Sequence, residues 1–503
     1  MNIKEAKENI KTALQVYFQK DENGVPLLAP KQQRPVFLIG PPGIGKTAIM
    51  EQIAQECQVG LVAYTMTHHT RQSAMGLPQI KTKTFGKKEA AVTEYTMSEI
   101  VASIYTCMEH TGKKKGILFL DEINCVSETL APVMLQLLQN KTFGNQKIPE
   151  DWLIVTAGNP PEYNKSVREF DVATLDRIRL MELEPNLEIW MEYAGKRKIH
   201  GAILSYLSSH NSHFYQIEQK DGEKHFVTAR GWEDLSALLK GYESMGIPIH
   251  RFEIEQYLQD KKIAGEFFSY YQIYQKYGQD YQVSEIVSGK LSKEQKEEKE
   301  RMAAKGGAEE RQMLLSMLVS FLEDETGNYL KREQVRVQIK EALHQLQNLW
   351  KDEEEGFFSS WIEKRAQSLE IRIEQELIRS EEQYLEKEVL EYFYQRNQKC
   401  KEAHRTTKTE ILEMLQQSCQ KEICSGQEEG KRISKDLERV YHFLESSYGS
   451  GPELTLFTTN CIRTDTLREF LIRYGTKETA VLYQMLLGRE QEEVLQQQCK
   501  RYC

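Results

Sequence analysis

Gly40-Pro41-Pro42-Gly43-Ile44-Gly45-Lys46-Thr47 is the stretch on which the reading of this chain turns. It follows the apolar run Val36-Phe37-Leu38-Ile39 and precedes Ala48-Ile49-Met50-Glu51-Gln52-Ile53-Ala54, which has helical character. Strand, glycine-rich loop, helix is the order that a phosphate-binding P-loop requires. Glycines let consecutive backbone N–H groups turn toward one phosphate. The start of the helix adds unpaired donors and a partial positive charge. In such a loop Lys46 reaches the β- and γ-phosphates and Thr47 sets its hydroxyl on Mg2+. From average residue usage, an accidental match in a chain this long is about a 2% event, and the correct flanks lower it further.

The next stretch outward is Leu118-Phe119-Leu120-Asp121-Glu122. The continuous apolar run Gly116–Leu120 predicts a strand buried on both faces. A carboxylate at the exit of such a strand can face the P-loop across the carboxyl edge of the sheet, where ligands bind in these folds. Asp121 is then placed for the Mg2+ shell and Glu122 for polarising the attacking water. Alone, an apolar strand ending in Asp-Glu is an ordinary strand-to-loop transition; the upstream P-loop gives it meaning. Asn159 follows a further buried strand, Trp152-Leu153-Ile154-Val155-Thr156, after Ala157-Gly158. It fits an Asn-Pro turn or a polar group facing the γ-phosphate; beside Asp121 and Glu122 the second reading is preferred.

Two arginine segments complete the candidates. Leu175-Asp176-Arg177-Ile178-Arg179 precedes or opens a last strand, Ile178–Leu183. An arginine supplied by a neighbouring subunit neutralises charge in phosphoryl transfer. A surface salt bridge is the plainer use, and the choice between Arg177 and Arg179 stays open. Thr228-Ala229-Arg230 starts a helix, from which Arg230 either reaches the γ-phosphate or stands exposed at the helix end.

Proline divides the rest. Twelve of the 13 prolines lie at or before Pro248. Short elements are therefore expected in the first half and long helices in the second. Residues 1–20 predict an amphipathic helix with Ile10, Leu14 and Val16-Tyr17 on one side, and Leu61-Val62-Ala63-Tyr64 a second strand. Hairpins are expected at Gln79–Tyr95, around Gly86-Lys87-Lys88, and at Lys141–Ile148, around Phe143-Gly144-Asn145. Helices are expected at Ser98–His110 and Thr129–Gln139, with mostly helical structure from Leu187 to Tyr277. Gly289–Gly307, rich in lysine and glutamate, reads as a linker or a solvated helix. Beyond it, four stripes at helical spacing recur: Leu314, Leu318, Phe321; Val335, Ile339, Leu343, Leu346, Trp350; Ile411, Leu415, Cys419; and Ile433, Leu437, Val440, Leu444. They read as core.

The 503 residues are enough for two to four domains. Hydrophobic residues at 40% and charged residues at 28% describe a globular chain, and a net charge of -9 disfavours a protein devoted to gripping nucleic acid. No apolar run approaches a membrane span. Met1–Glu8 lacks the apolar core of a signal peptide, so a cytoplasmic location is expected. The nine cysteines form no Cys-x-x-Cys pair, which predicts reduced thiols rather than disulfides or zinc. His68-His69 is adjacent rather than at metal-ligand spacing.

Together, Gly40–Thr47, Leu118–Glu122, Asn159, Arg177 and Thr228-Ala229-Arg230 resemble an AAA+ ATPase. The finer resemblance is to the MoxR-like group. It lies in Thr67-His68-His69-Thr70-Arg71, Ala157-Gly158-Asn159-Pro160-Pro161 and Ala173-Thr174-Leu175-Asp176-Arg177, and in the two hairpin insertions. It covers about residues 30–275. It implies an α/β fold with a parallel five-stranded core, here 1–185, and a helical lid, here 186–288; the charge run and the helical stripes beyond it add a charged linker at 289–310 and a mostly α-helical C-terminal domain at 311–503. The resemblance further implies Mg-dependent ATP hydrolysis between subunits of a ring, with a hexamer expected. Lys46 and Thr47 become Walker A, Asp121 and Glu122 Walker B, Asn159 sensor 1, Arg177 the finger and Arg230 sensor 2. Relatives of this kind remodel partner proteins, often beside one with a von Willebrand factor A domain. The helical C-terminal region departs from the common MoxR plan. The other readings are a nucleic-acid motor or loader on the same fold and a nucleotide-gated scaffold.

Overall fold

The computed structural model describes residues 1–475 apart from 30–31, 86–87, 144–145, 164–165, 169, 221–222, 351–355, 375–377, 379 and 404–406. The chain divides into two compact units. The first holds residues 1–191, 211–238 and 250–264; the second holds 192–210, 239–249 and the chain from 265 onward.

The first unit is built on a five-stranded sheet. In spatial order its strands are Gly60–Thr65, Gly116–Asp121, Trp152–Gly158, Val36–Ile39 and Arg179–Glu182. Every pairing is parallel. Alternation along Gly116–Asp121 explains its unbroken apolar run. Ile117 and Phe119 pack on one face with helices Ile3–Tyr17 and Lys46–Glu56. Leu118 and Leu120 pack on the other with helices Glu99–Thr111 and Ala131–Asn140. Each such side chain contributes about 2 kcal/mol of transfer free energy, and a strand with two apolar faces is the expected product of helices on both sides of a sheet.

Register decides where the strands deliver their ends. Thr65 lies opposite Asp121, and Ile39 opposite Gly158. The loop after Ile39, the Asp121-Glu122 corner and Asn159 therefore leave the sheet at the same carboxyl edge.

The N-terminal helix, Ile3–Tyr17, is capped by Asn2 and Glu5 and buries Ala6, Ile10, Ala13, Leu14 and Tyr17. Val16, expected beside Tyr17 on the buried side, is exposed, because 100° per residue carries it off the stripe. Both expected hairpins form: Pro78–Phe85 with Lys88–Tyr95, and Thr142–Phe143 with Gln146–Lys147. Their turn signals Gly86-Lys87 and Gly144-Asn145 lie outside the described residues. A third hairpin, Gln216–Lys220 with Glu223–Val227, stands in the region expected to be mostly helical. Its five-residue strands carry few apolar residues, so no period-2 pattern rises above the helical background.

The second unit is helical. The charged stretch forms helix Lys293–Lys305, capped by Ser292 and Gln295. The four apolar stripes belong to only two long helices, Ala308–Leu349 and Lys408–Tyr448, of 42 and 41 residues. Successive segments of each face different neighbours, which is why one helix reads as two stripes. The two helices approach closely where side chains are missing: a Cβ on Gly426 would sit 2.6 Å from Arg336 and Glu333, and one on Gly430 would sit 2.9 Å from Tyr329. Around this contact Arg332 and Arg336 pair with Glu429 at 2.5 and 3.2 Å. Among the described residues no helix is long and apolar enough to cross a membrane, and the described cysteines are free; Cys499 and Cys503 lie outside them.

Candidate functional site

The loop Gly40–Gly45 runs from the end of the Val36–Ile39 strand to the start of helix Lys46–Glu56. Gly43 and Gly45 both take positive φ, 74° and 93°. At Gly43 the need is double, since a Cβ would also press to 3.1 Å from Thr228. The loop leads directly into the helix start, where the first N–H groups lack helical partners.

Lys46 is 9% exposed and is the centre of the site. Its Nζ donates to Gly40 O at 2.6 Å, Pro41 O at 3.0 Å and Asn159 Oδ1 at 2.8 Å. Burial pushes its pKa down to about 8, against the pull of Asp121 and Glu122 and with the push of Arg230. Thr47 Oγ1 donates to Asp121 Oδ2 at 3.0 Å. Asp121 Oδ1 accepts from the Glu122 backbone N–H at 2.8 Å. Glu122 sits in the left-handed region, at φ 55°, immediately after the strand ends. That sparsely populated conformation swings its side chain out of the strand direction, where Thr67 Oγ1 donates to its Oε2 at 2.8 Å.

Lys46, Thr47, Asp121, Glu122 and Asn159 are therefore one contiguous polar cluster. Arg230 stands close by: its Cβ is 3.5 Å from the position a Cβ on Gly43 would take, and its charge acts on Lys46. Among the described residues no hydrogen bond joins Arg177 to this cluster. Arg177 follows the short helix Val172–Leu175, is exposed, and donates to Ala173 O at 2.7 Å. Arg179 opens the edge strand and is half-buried.

Three groups escaped the sequence reading. Asn124, two residues past Glu122, donates from Nδ2 to Asn159 O at 2.9 Å. Tyr215, at the base of the third hairpin, donates to Pro42 O at 2.7 Å, and burial pushes its phenol pKa up. Thr67 was noticed only as part of a motif. No residue spacing marks any of them, because each partner is remote along the chain.

The donor set suits a magnesium nucleotide. Thr47 and Asp121 offer two hard oxygens side by side, and Mg2+ takes few protein ligands when phosphate oxygens and water supply the rest. Among the described residues no group of three or more His, Cys, Asp or Glu gathers to hold a metal by protein ligands alone.

Residues 35–178 match the AAA domain of the dynein-related subfamily. No curated protein matches the chain. Two solved structures, both mutants of RuvB from Thermotoga maritima, resemble it remotely. Each is 14% identical and covers 54% of this chain and 69% of its own, with TM-scores of 0.28 and 0.29. A P-loop, a carboxylate pair and a polar strand end gathered at one sheet edge, within a stretch that matches this domain, lead to one conclusion: residues 35–178 carry a nucleotide-binding AAA+ ATPase domain.

Proposed function

We propose that the chain hydrolyses ATP with Mg2+ and passes the resulting movement to a macromolecular partner. The observation that carries this reading is the contiguity of Lys46, Thr47, Asp121, Glu122 and Asn159. In the proposed roles the loop Gly40–Gly45 wraps the phosphates and cradles them with the amides of Gly43, Ile44 and Gly45, while the Gly40 N–H stays on Gly158 O, and Lys46 neutralises the β- and γ-oxygens. Thr47 and Asp121 hold Mg2+, which supplies charge neutralisation at the transferring phosphoryl group. Glu122, once it leaves Thr67, orients and deprotonates the attacking water. Asn159 donates its side-chain N–H toward the γ-phosphate or the water, and Arg230 stabilises the γ-phosphate from the same chain.

Arg177 supports assembly. An exposed arginine directly after a helix whose Val172 is 82% exposed suits the face that completes a neighbour's site. Head-to-tail use of such a face closes into a ring, for which we propose a hexamer. We assign the domains as core 1–185, lid 186–288, charged segment 289–310 and helical arm 311–503.

The partner is a protein in the MoxR-like reading, in which a protein with a von Willebrand factor A domain is the natural companion. A nucleic acid is the second reading. The hairpin Pro78–Tyr95 favours neither alone: strand Pro78–Phe85 is exposed throughout and presents Lys81 and Lys83 beside Ile80 and Phe85, but both lysines pair with Glu94.

Glu122→Gln tests the core of the proposal. Turnover is expected to fall about 1,000-fold, the range for loss of a general base, while ATP affinity holds. Affinity capture on this variant with ATP then identifies the partner, and a low-salt gel-shift titration decides between protein and nucleic acid. Unchanged turnover in Glu122→Gln overturns the assignment; unchanged biological output without turnover favours the nucleotide-gated scaffold.

A further inference from the structure

Asn124 is a buried polar residue for which the roles above have no use. It is 3% exposed and sits in the 3-10 turn Ile123–Cys125, directly after the left-handed Glu122. Its Nδ2 donates to the backbone O of Asn159 at 2.9 Å. Its Oδ1 lies hard against Gly158, where a Cβ would come to 2.3 Å. Its own backbone O accepts from Arg168 N at 2.8 Å. One side chain thus ties the turn that aims Glu122 to the strand end that aims Asn159.

Neighbouring strands alone do not set this link. The sheet pairs the Asp121 strand with the Asn159 strand only as far as Leu120 opposite Thr156. Beyond that pair the two strands no longer bond to each other: Asp121 still lies opposite Thr65 and Gly158 opposite Ile39, but Glu122 and Asn159 lie past the last rung on either side. A buried amide that holds a main-chain carbonyl across the gap fixes their separation, because breaking the bond leaves the amide, itself 3% exposed, without its acceptor. The side chain of Asn159 in turn accepts from Lys46, so an error in its backbone is passed to the phosphate-binding lysine.

We propose that Asn124 is a positioning residue for hydrolysis, setting the distance between Glu122 and Asn159 by its hydrogen bond to the Asn159 carbonyl. This rests on the ATPase reading. Gly158 belongs to the same device, since only a residue without a side chain leaves room for the amide.

Two variants test it. Asn124→Asp keeps the shape but turns the donor into a carboxylate facing a carbonyl. The double variant Asn124→Ala with Gly158→Ala refills the space and deletes the bond. In both, kcat is expected to fall about tenfold or more, as the loss of a bond made by a buried amide implies, with KM for ATP within about twofold of wild type. The preference for ATPγS over ADP, read as a ratio of Kd values, is expected to drop in both toward that of Asn159→Ala. A merely structural role predicts instead that the double variant recovers thermal stability and kcat together, and that result overturns the proposal. So does a Kd ratio that stays within about twofold of wild type in Asn124→Asp. If the wild type binds but does not turn over ATP, the hydrolysis reading fails by itself, and the Kd ratio still decides whether Asn124 positions Asn159.

Discussion

Lys46 in the sheet unit and Glu323 in the helical unit are both buried charges, and the two regions treat them differently. Lys46 has three oxygen acceptors within 3.0 Å, and burial still pushes its pKa down to about 8. Its acceptors are neutral, so burial wins over hydrogen bonding. Glu323, 6% exposed on helix Ala308–Leu349, has an Oε1 with no hydrogen-bond partner among the described residues. Burial pushes its pKa up to about 7, opposed by Lys198 and Lys240 and helped by Asp324. Lys198, in the same unit, is moved down by burial as well. In the sheet unit, polar groups from four separate segments converge on one lysine. In the helical unit, a buried carboxylate on one long helix has only Lys198 and Lys240 to oppose the cost of its burial. The first is the pattern of a site that manages anionic charge; the second is a stability cost carried by packing.

Three experiments break or sharpen that contrast. The largest effect is expected from Lys46→Ala. Loss of charge-assisted bonds to two phosphates should weaken ATP binding about 1,000-fold, read by titration calorimetry, with the fold intact. ATP affinity within tenfold of wild type would remove Lys46 from the centre of the site.

Next comes Glu323→Gln. The folded pKa, about 7, stands above the ordinary 4.5. Below pH 4.5 both states hold the proton and nothing is lost. Between pH 4.5 and 7 the folded protein keeps a proton that the unfolded chain sheds, so stability falls as pH rises, then levels off. The amide removes this slope and should stabilise the protein at pH 8 by on the order of 3 kcal/mol. Thermal unfolding from pH 4.5 to 8 checks it; an unchanged slope would mean that Glu323 is better solvated than its burial implies.

The smallest effect is the pH dependence of binding. Lys46 has a folded pKa below its ordinary 10.5. Its desolvation penalty is therefore fully present below pH 8 and is relieved as pH rises toward 10.5. A bound triphosphate raises that pKa, so binding above pH 8 takes up a proton. ATP affinity should then fall by at most about tenfold per pH unit above 8. Calorimetry at pH 8.5 in buffers of different ionisation enthalpy measures the uptake directly, and zero uptake contradicts the assignment.

How much was legible follows the separation of partners along the chain. The P-loop was readable because its strand, loop and helix are contiguous, and Asp121-Glu122 because a two-faced apolar strand ends there. Asn159 needed both to be recognised. Asn124, Thr67 and Tyr215 were not readable, since their partners lie 35, 55 and 173 residues away. The third hairpin was hidden by short polar strands. The two long helices were hidden as four stripes because their buried faces change along their length.

The amino-acid order by itself determined the local units here: a glycine loop whose positive φ values only glycine adopts cheaply, strands apolar on two faces, and helices with one buried side. Those choices depend on interactions within a few residues. Only the tertiary structure decided that Glu122 is held by Thr67, that Asn124 grips Asn159, and that Arg177 stands exposed on Ala173 O. Those arrangements depend on strand register and on backbone beyond the last sheet pair, where no local pattern specifies which side chain meets which.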